Sequence, residues 1–149
     1  MKQNPYRHLG VMAAVSFVSM YILMYAMVNS VDDVYMNVNQ VYMAGLMTAP
    51  MIVIELVVMR MMYHSMKLNA LIIAASVVAG VVLIMLIQRQ TAVADRQFLR
   101  SMIPHHSAAI LMCREASIQE DEIRELCKSI TSGQQREIDQ MNAILRRVQ

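Results

Sequence analysis

The chain of 149 residues lacks tryptophan, and it has only two phenylalanines, two cysteines and few charges. Charged residues make up 16% of it, whereas a soluble domain normally has about 25%. Its net charge of +2 gives no basic excess. The composition therefore argues against an ordinary soluble domain and against a nucleic-acid partner.

The sequence also lacks the usual signatures of enzymes. It contains no phosphate-binding loop and no dinucleotide fingerprint, and no serine can be assigned to an arrangement that a histidine would activate. We therefore expect a binding or structural protein rather than an enzyme. A redox role for a bound copper ion is left open.

Long apolar runs fill the first part of the chain. Residues 1–88 hold four Lys/Arg and three Asp/Glu, whereas residues 89–149 hold nine and eight. Three runs, at about 8–28, 41–62 and 68–87, have the roughly 20 residues that a membrane-spanning helix needs. The first run is too long for a signal peptide and no small-x-small cleavage site follows it, so we expect a retained helix. The prediction is a transmembrane domain over 1–88 and a polar domain over 89–149.

The positive-inside rule gives an orientation. Lys2 and Arg7 precede the first span, and Arg60 and Lys67 lie in the second connection. The connection between the first two spans has two aspartates and no Lys or Arg. Three arginines after the third span weakly favour the opposite orientation. We expect a cytoplasmic N terminus and an extracytoplasmic C-terminal domain.

The second span contains a row of methionines that ends at an acidic residue. Met43, Met47, Met51 and Glu55 repeat every four residues and share a helix face. An ionisable residue inside a membrane is a functional candidate, so one interpretation is a methionine-lined path ending at Glu55. The alternative, which we favour, is lipid-facing methionines and a glutamate paired with a neighbouring helix or subunit.

Soft metal donors concentrate in the polar half, where we predict two amphipathic helices at about 92–117 and 121–147. The first helix carries Met102-Ile103-Pro104-His105-His106. One stripe of this helix comprises Asp95, Met102, His106, Ala109 and Cys113, with His105 and Met112 beside it. Imidazole and thioether groups together suit copper, above all Cu(I). The alternative is methionine as core filler and histidine as an ordinary polar residue.

Folding these two helices back on each other near residue 120 brings further donors opposite the first set. The facing wall offers Gln134, Glu137 and Met141, with Gln134 opposite His106. The same fold places Cys113 opposite Cys127, and in an oxidising compartment we favour a disulfide between them. A pair of thiolate ligands for Cu(I) or zinc is the alternative.

These residues carry a resemblance to a known family. The residues are Asp95, Phe98, Met102-Ile103-Pro104-His105-His106, Ala109, Met112, Glu125-Leu126, Ile130, Gln134, Glu137-Ile138 and Met141. Over about 91–147 they resemble the bacterial "domain of unknown function 305" family. The resemblance implies a ferritin-like helical bundle, usually exported or membrane-anchored, with copper binding and copper tolerance in some members. With the three spans, it leads us to expect a location in the bacterial inner membrane. The metal ligands that the resemblance implies are Asp95, Met102, His105, His106, Met112, Gln134, Glu137 and Met141.

The chain departs from that family at two places. Cys113 and Cys127 stand where members commonly have alanine. Because both alanines are replaced by cysteine at facing positions, the pair supports a bridge. The second departure is size, because a hairpin of about 57 residues buries too little surface to be stable alone. We therefore expect it to complete a four-helix bundle by homo-oligomerisation.

Two functional hypotheses result. The first is an all-α envelope protein whose three-span anchor in the lipid bilayer presents a Met/His site that captures or buffers copper. The second is an oligomeric membrane scaffold or interaction module, in which a buried histidine is satisfied by Glu137 or Gln134 and needs no metal.

Overall fold

The structure is a computed structural model that describes residues 4–148. Within that range it contains five α-helices and no strand, which confirms the prediction of an all-α chain. The helices are α1 (Pro5–Leu23), α2 (Val38–Val58), α3 (Met66–Gln88), α4 (Asp95–Glu115) and α5 (Asp121–Arg147). Two short 3-10 turns, Met24–Met27 and Val31–Asp33, lie between α1 and α2.

Three segments are long and apolar enough to cross a membrane: Pro5–Met27, Val38–Val58 and Met66–Gln88. They overlap the three predicted spans, but the second span ends at Val58, four residues earlier than predicted. The chain turns over residues 59–62, and α3 then begins at an N-cap, where the Ser65 side chain accepts a hydrogen bond from the Leu68 N–H. Met59, Met61 and Met62 extend the apolar run past the end of the helix, and Arg60, already assigned to the connection, lies within the turn.

The chain divides into two compact units. The first comprises Met1–Leu23, described from residue 4 onward, and Asn39–Thr91. Small residues allow α2 and α3 to approach closely: a Cβ added at Gly45 would lie 3.1 Å from Leu83 Cδ1, and one at Gly80 would lie 3.9 Å from Ala49 Cβ. Close contact at small residues is how membrane helices gain packing energy when lipid is as apolar as their side chains.

A polar cluster closes one end of the first unit. The Tyr6 hydroxyl donates to Asn69 Oδ1 at 2.8 Å, and Asn69 Nδ2 donates to the Tyr63 carbonyl at 2.9 Å. The rings of Tyr6 and Tyr63 pack with centroids 5.3 Å apart. Tyr63 and Asn69 are buried beside the apolar residues Leu9 and Leu56. These bonds pair the polar groups that the turn would otherwise leave unsatisfied.

The second unit comprises Met24–Val38 and residues 92 onward. Its α4 and α5 form a helical hairpin whose core consists of Leu99, Ile103, Ile110, Ile138, Met141 and Leu145. The connection 24–38 is part of this unit, because Tyr35 packs against that core and donates through its hydroxyl to Asn142 Oδ1 at 2.9 Å. A segment that the sequence presents only as a linker between two spans therefore contributes to the fold of the C-terminal domain.

A disulfide links Cys113 to Cys127 near the turn of the hairpin, as predicted. The bridge joins the last turn of α4 to the second turn of α5 and closes a loop with a sequence separation of 14. Pro104 lies buried inside an unbroken α4, so the helix does not restart there. The register of the two helices, which sets the candidate site, is thus fixed covalently at one end.

Candidate functional site

The strongest candidate site is a polar pair between α4 and α5. His106 is buried, and its Nε2 lies 2.8 Å from Glu137 Oε2. Its Nδ1 lies 2.9 Å from the carbonyl oxygen of Met102, one turn back along α4. The Glu137 side chain is 56% exposed, so the pair lies at the edge of the hairpin and not inside its core.

The hydrogen bonds of this pair fix the chemistry of the imidazole. A carbonyl oxygen only accepts, so Nδ1 must carry a hydrogen and donate it to Met102. In a neutral imidazole Nε2 then carries a lone pair, which would face a carboxylate oxygen at 2.8 Å. Because two lone pairs repel at that distance, the geometry calls for a proton shared by Nε2 and Oε2 or for a cation that both atoms bind. A shared proton fits the 2.8 Å separation directly. A metal ion about 2 Å from each atom would lie beside the line that joins them, with the two as neighbouring ligands.

The other predicted ligands occupy different environments. His105 is exposed on the adjacent face of α4, with its ring centroid 6.0 Å from that of His106. Met112 is exposed, Met102 is half-buried against the core, and Met141 is buried within it. The remaining two are a half-buried Gln134 and an exposed Asp95 in the first turn of α4. The structure therefore brings His106 and Glu137 together and spreads the others around them.

No group of three His, Cys, Asp or Glu side chains with metal-binding geometry occurs among residues 4–148. His106 and Glu137 supply two donors, and further ligands to an ion at this position would have to be thioether sulfurs, water or groups from a second copy. The disulfide fits the expected register of the hairpin, and the His106 imidazole contacts Glu137, which lies one helical turn after Gln134 on the same wall of α5.

The four intramembrane candidates do not converge within the described chain. Met43 and Met47 are exposed on the surface of α2, and Met51 is half-buried. Glu55 accepts a hydrogen bond of 3.3 Å from the hydroxyl of Tyr63, which belongs to the turn after its own helix. The favoured alternative described this glutamate as paired with a neighbouring helix or subunit, and that pairing stays a prediction beside the bond to Tyr63.

Sequence reasoning missed a second polar cluster, which joins α4 to the 24–38 connection. Ser107 is completely buried, and its hydroxyl donates to Asp33 Oδ2 at 2.6 Å while accepting from the Asn29 N–H at 3.0 Å. Asp33 is buried as well. Arg114 Nη1 donates to Asn29 Oδ1 at 3.0 Å. No local pattern in the sequence marks this cluster, because Ser107 and Asp33 lie 74 residues apart.

Comparison with known proteins places the chain in a family. Residues 57–145 match the family described as Domain of unknown function (DUF305). The chain belongs to this family. The DUF305 match includes α3 as well as the α4–α5 hairpin, so it begins well before residue 91, where the resemblance in the sequence starts.

One relative of the chain comes from a virus, whereas the family resemblance was to bacterial proteins. The chain is 34% identical to "Uncharacterized protein L153" of Acanthamoeba polyphaga mimivirus over 137 residues, which cover 90% of this chain and 88% of the relative. No solved structure matches the chain significantly. The ferritin-like architecture therefore stays a prediction, and DUF305 membership by itself names no activity.

Proposed function

We propose that this protein is a membrane-anchored copper-binding protein that captures or buffers the ion at the His106–Glu137 pair and the donors around it. The observation that carries the proposal is the orientation of His106, whose Nδ1–H is held by the Met102 carbonyl while Nε2 lies 2.8 Å from Glu137 Oε2. Metal-binding histidines commonly have this arrangement, since a second hydrogen bond fixes the tautomer and aims the free nitrogen at the ion.

The donor types favour copper over the hard divalent cations. Imidazole is a good ligand for copper and zinc, and thioether sulfur selects Cu(I). The exposed Met112 and the half-buried Met102 are the thioethers of α4. An ion held by His106 and Glu137 would complete its coordination with such sulfurs, with water or with donors of a second copy. The carboxylate suits the harder Cu(II), so both oxidation states belong in the test.

The proposed orientation puts the hairpin on the side of the membrane away from the cytoplasm. Loop charge supports a cytoplasmic N terminus, and the disulfide suits an oxidising compartment. Residues 24–38 and α4 form one unit, and two candidate spans, α2 and α3, lie between them in the sequence. Two crossings return the chain to the same side, as that shared unit requires. The bacterial inner membrane is the proposed location for this chain, although a viral relative shows that relatives are not confined to bacteria.

We include homo-oligomerisation in the proposal because the hairpin exposes an apolar surface. Phe98 and Met112 on α4, with Ile123 and Leu126 on α5, are all exposed. His105 lies seven residues from both Phe98 and Met112, so all three share one stripe of α4. A second hairpin packed on this stripe would complete a four-helix bundle and would bring its own His105 and Met112 to the first.

The test is a titration of the full-length protein, purified in an uncharged detergent, with Cu(I) in the presence of a competing chelator. Cu(II) and Zn²⁺ titrations run in parallel. His105→Ala with His106→Ala should weaken copper binding strongly. The chain has four histidines, so His8→Ala with His64→Ala is the matched control and should leave affinity unchanged. Unchanged affinity in the His105/His106 variant would refute the proposal.

A structural scaffold is the second candidate, and the same pair favours it in one respect. A proton on Nε2 would satisfy both partners with no metal, giving an ion pair that ties α4 to α5. In that case His106→Ala should lower the free energy of unfolding and the oligomeric mass. Copper affinity should not differ between this variant and the wild type. Elemental analysis of protein purified without chelators, together with its oligomeric mass, separates the two functions.

A further inference from the structure

An open cavity of about 600 Å³ lies at the turn end of the hairpin, and the Cys113–Cys127 disulfide forms part of its wall. Both cysteines are half-buried, and neither belongs to the apolar core of the unit. A disulfide that serves only as a cross-link needs no such opening. Here the sulfur-bearing residues border a space large enough to admit a small molecule.

The charged residues that line this cavity are all cationic: Arg114, Arg124 and Lys128, with no aspartate or glutamate among the lining residues. Arg114 is held by the neutral amide of Asn29 and keeps its full charge uncompensated at that contact. Arg124 and Lys128 pair with carboxylates one turn away on the exposed surface of α5, and such exposed pairs are weak. Thr131, Ser132 and Gln135 add hydrogen-bonding groups to the wall. The cavity is therefore suited to an anion.

We propose that this cavity binds a small anionic thiol and that the Cys113–Cys127 disulfide undergoes thiol–disulfide exchange with it. The inference is independent of copper binding, because it rests on the cavity, its cations and the disulfide. Positively charged clefts raise the local concentration of anionic reactants and their association rates. Nearby cations also stabilise a thiolate, which is both the attacking and the leaving species in exchange.

The exchange proceeds in two balanced steps. The thiolate of the small molecule attacks one sulfur of the bridge, so a mixed disulfide forms, the Cys113–Cys127 bond breaks, and the other cysteine leaves as a thiolate that takes up a proton. A second thiolate then attacks the mixed disulfide, releasing the small-molecule disulfide and the second cysteine. The protein disulfide gains two electrons and two protons, and two small thiols are oxidised to one disulfide.

The experiment compares three thiols that differ in charge: 3-mercaptopropionate, 2-mercaptoethanol and cysteamine. The full-length protein in uncharged detergent is treated with each, and reduced Cys113 and Cys127 are alkylated and counted by mass. Each rate is divided by the rate at which the same thiol reduces the uncharged 2-hydroxyethyl disulfide, which removes differences in thiol reactivity. We expect the normalised rate for mercaptopropionate to exceed that for cysteamine by about tenfold at low salt, at the lower end of known steering effects. High ionic strength should abolish the difference.

Two matched variants assign the effect to the cavity. Arg114→Gln, Arg124→Gln and Lys128→Gln together should abolish the preference for the anionic thiol. Arg136→Gln, Arg146→Gln and Arg147→Gln remove the same charge from exposed positions of α5 outside the cavity and should retain it. If the cavity variant fails to fold, Lys128→Gln alone should reduce the preference.

Two results would overturn the proposal. Equal normalised rates for the anionic and cationic thiols in the wild-type protein would show that the cavity does not select an anion. A disulfide that resists all three thiols until the protein is denatured would show that it is a structural cross-link only.

Discussion

His106 Nε2 and Glu137 Oε2 lie 2.8 Å apart across the hairpin, and among residues 4–148 this is the contact between a basic and an acidic side chain that joins two different helices. The other nitrogen of the imidazole is committed to the Met102 carbonyl at 2.9 Å. The pair is therefore a site for one cation, and the identity of that cation, proton or metal, separates a scaffold from a copper-binding protein.

The first prediction concerns Glu137→Gln. The amide keeps the size of the side chain and can donate to a neutral Nε2, so the hairpin should stay folded while the anionic donor is lost. Copper affinity should fall by at least about tenfold, the lower limit seen when groups supporting a metal site are removed. Chelator competition measures the copper affinity. The control is Glu122→Gln, which changes an exposed glutamate on the same helix. Equal affinity for both variants and the wild type would remove Glu137 from the site.

Sequence periodicity predicted the elements that depend on local patterns. The apolar runs predicted three candidate spans, and the amphipathic pattern predicted α5 at residues 121–147, where the structure has it. The disulfide followed from facing positions in a hairpin, and the structure contains it.

What the sequence could not predict depends on contacts between distant segments. Nothing local marks Asp33 as a buried partner of Ser107, 74 residues away. Helix spacing also gave no measure of side-chain reach, so the 2.8 Å contact of His106 with Glu137, one turn beyond Gln134, could not be chosen over one with Gln134. The environment of each predicted donor could not be read from its spacing either, since Met141 on the facing wall packs in the core and Met112 beside the α4 stripe is exposed.

The second prediction is that Ser107→Ala releases the 24–38 connection. The change leaves the buried Asp33 carboxylate without its 2.6 Å donor and the Asn29 N–H without its acceptor. An unpaired buried group costs about 1–3 kcal/mol, so hydrogen exchange over 24–38 should accelerate. Ser101→Ala, whose hydroxyl donates to a nearby carbonyl of its own helix, should change it little. Unaltered protection in Ser107→Ala would show that other contacts hold the connection.

The third prediction concerns the cross-link itself. Replacing both Cys113 and Cys127 by alanine removes a bridge with a sequence separation of 14. A loop of this size is worth about 3 kcal/mol by the chain-entropy estimate. Denaturant unfolding, monitored by hydrogen exchange of α4 and α5, should show a loss of unfolding free energy of this order. The loss should be confined to the second unit, and the first unit serves as the internal control. A loss below about 1 kcal/mol would mean that packing alone fixes the hairpin end.

The fourth prediction concerns Tyr63, which lies in the turn between α2 and α3. Burial raises the pKa of Tyr63 above its ordinary value of 10.0, and the nearby Glu55 carboxylate raises it further. A raised pKa in the folded state contributes stability that is complete below the unfolded pKa and is lost as pH rises through the folded one. Stability should therefore decline at alkaline pH, and the decline should be smaller in Tyr63→Phe.

The matching measurement is the absorbance of tyrosinate as pH is raised. The wild type has six tyrosines, and the difference between its titration and that of Tyr63→Phe isolates this one. Its midpoint should lie above 10.0. Tyr42→Phe, which removes a hydroxyl that donates to the Thr91 carbonyl, controls for the loss of one tyrosine. A Tyr63 midpoint at or below the ordinary value would contradict the burial of this side chain.

The last prediction tests whether a second copy covers the exposed face of α4. Phe98 and Met112 are 50% and 58% exposed on one stripe with His105, and a carboxylate at either position would be desolvated in a packed four-helix bundle. Phe98→Glu with Met112→Glu should therefore reduce the oligomeric mass in uncharged detergent, as measured by light scattering. Gln119→Glu with Gln140→Glu adds the same charge at exposed polar positions and should not. A wild-type protein that is monomeric, or an oligomer unchanged by the glutamates at 98 and 112, would rule out this stripe as the contact. If the stripe is the contact, the His105 side chains of two copies approach each other there, and disrupting the oligomer should weaken copper binding as well.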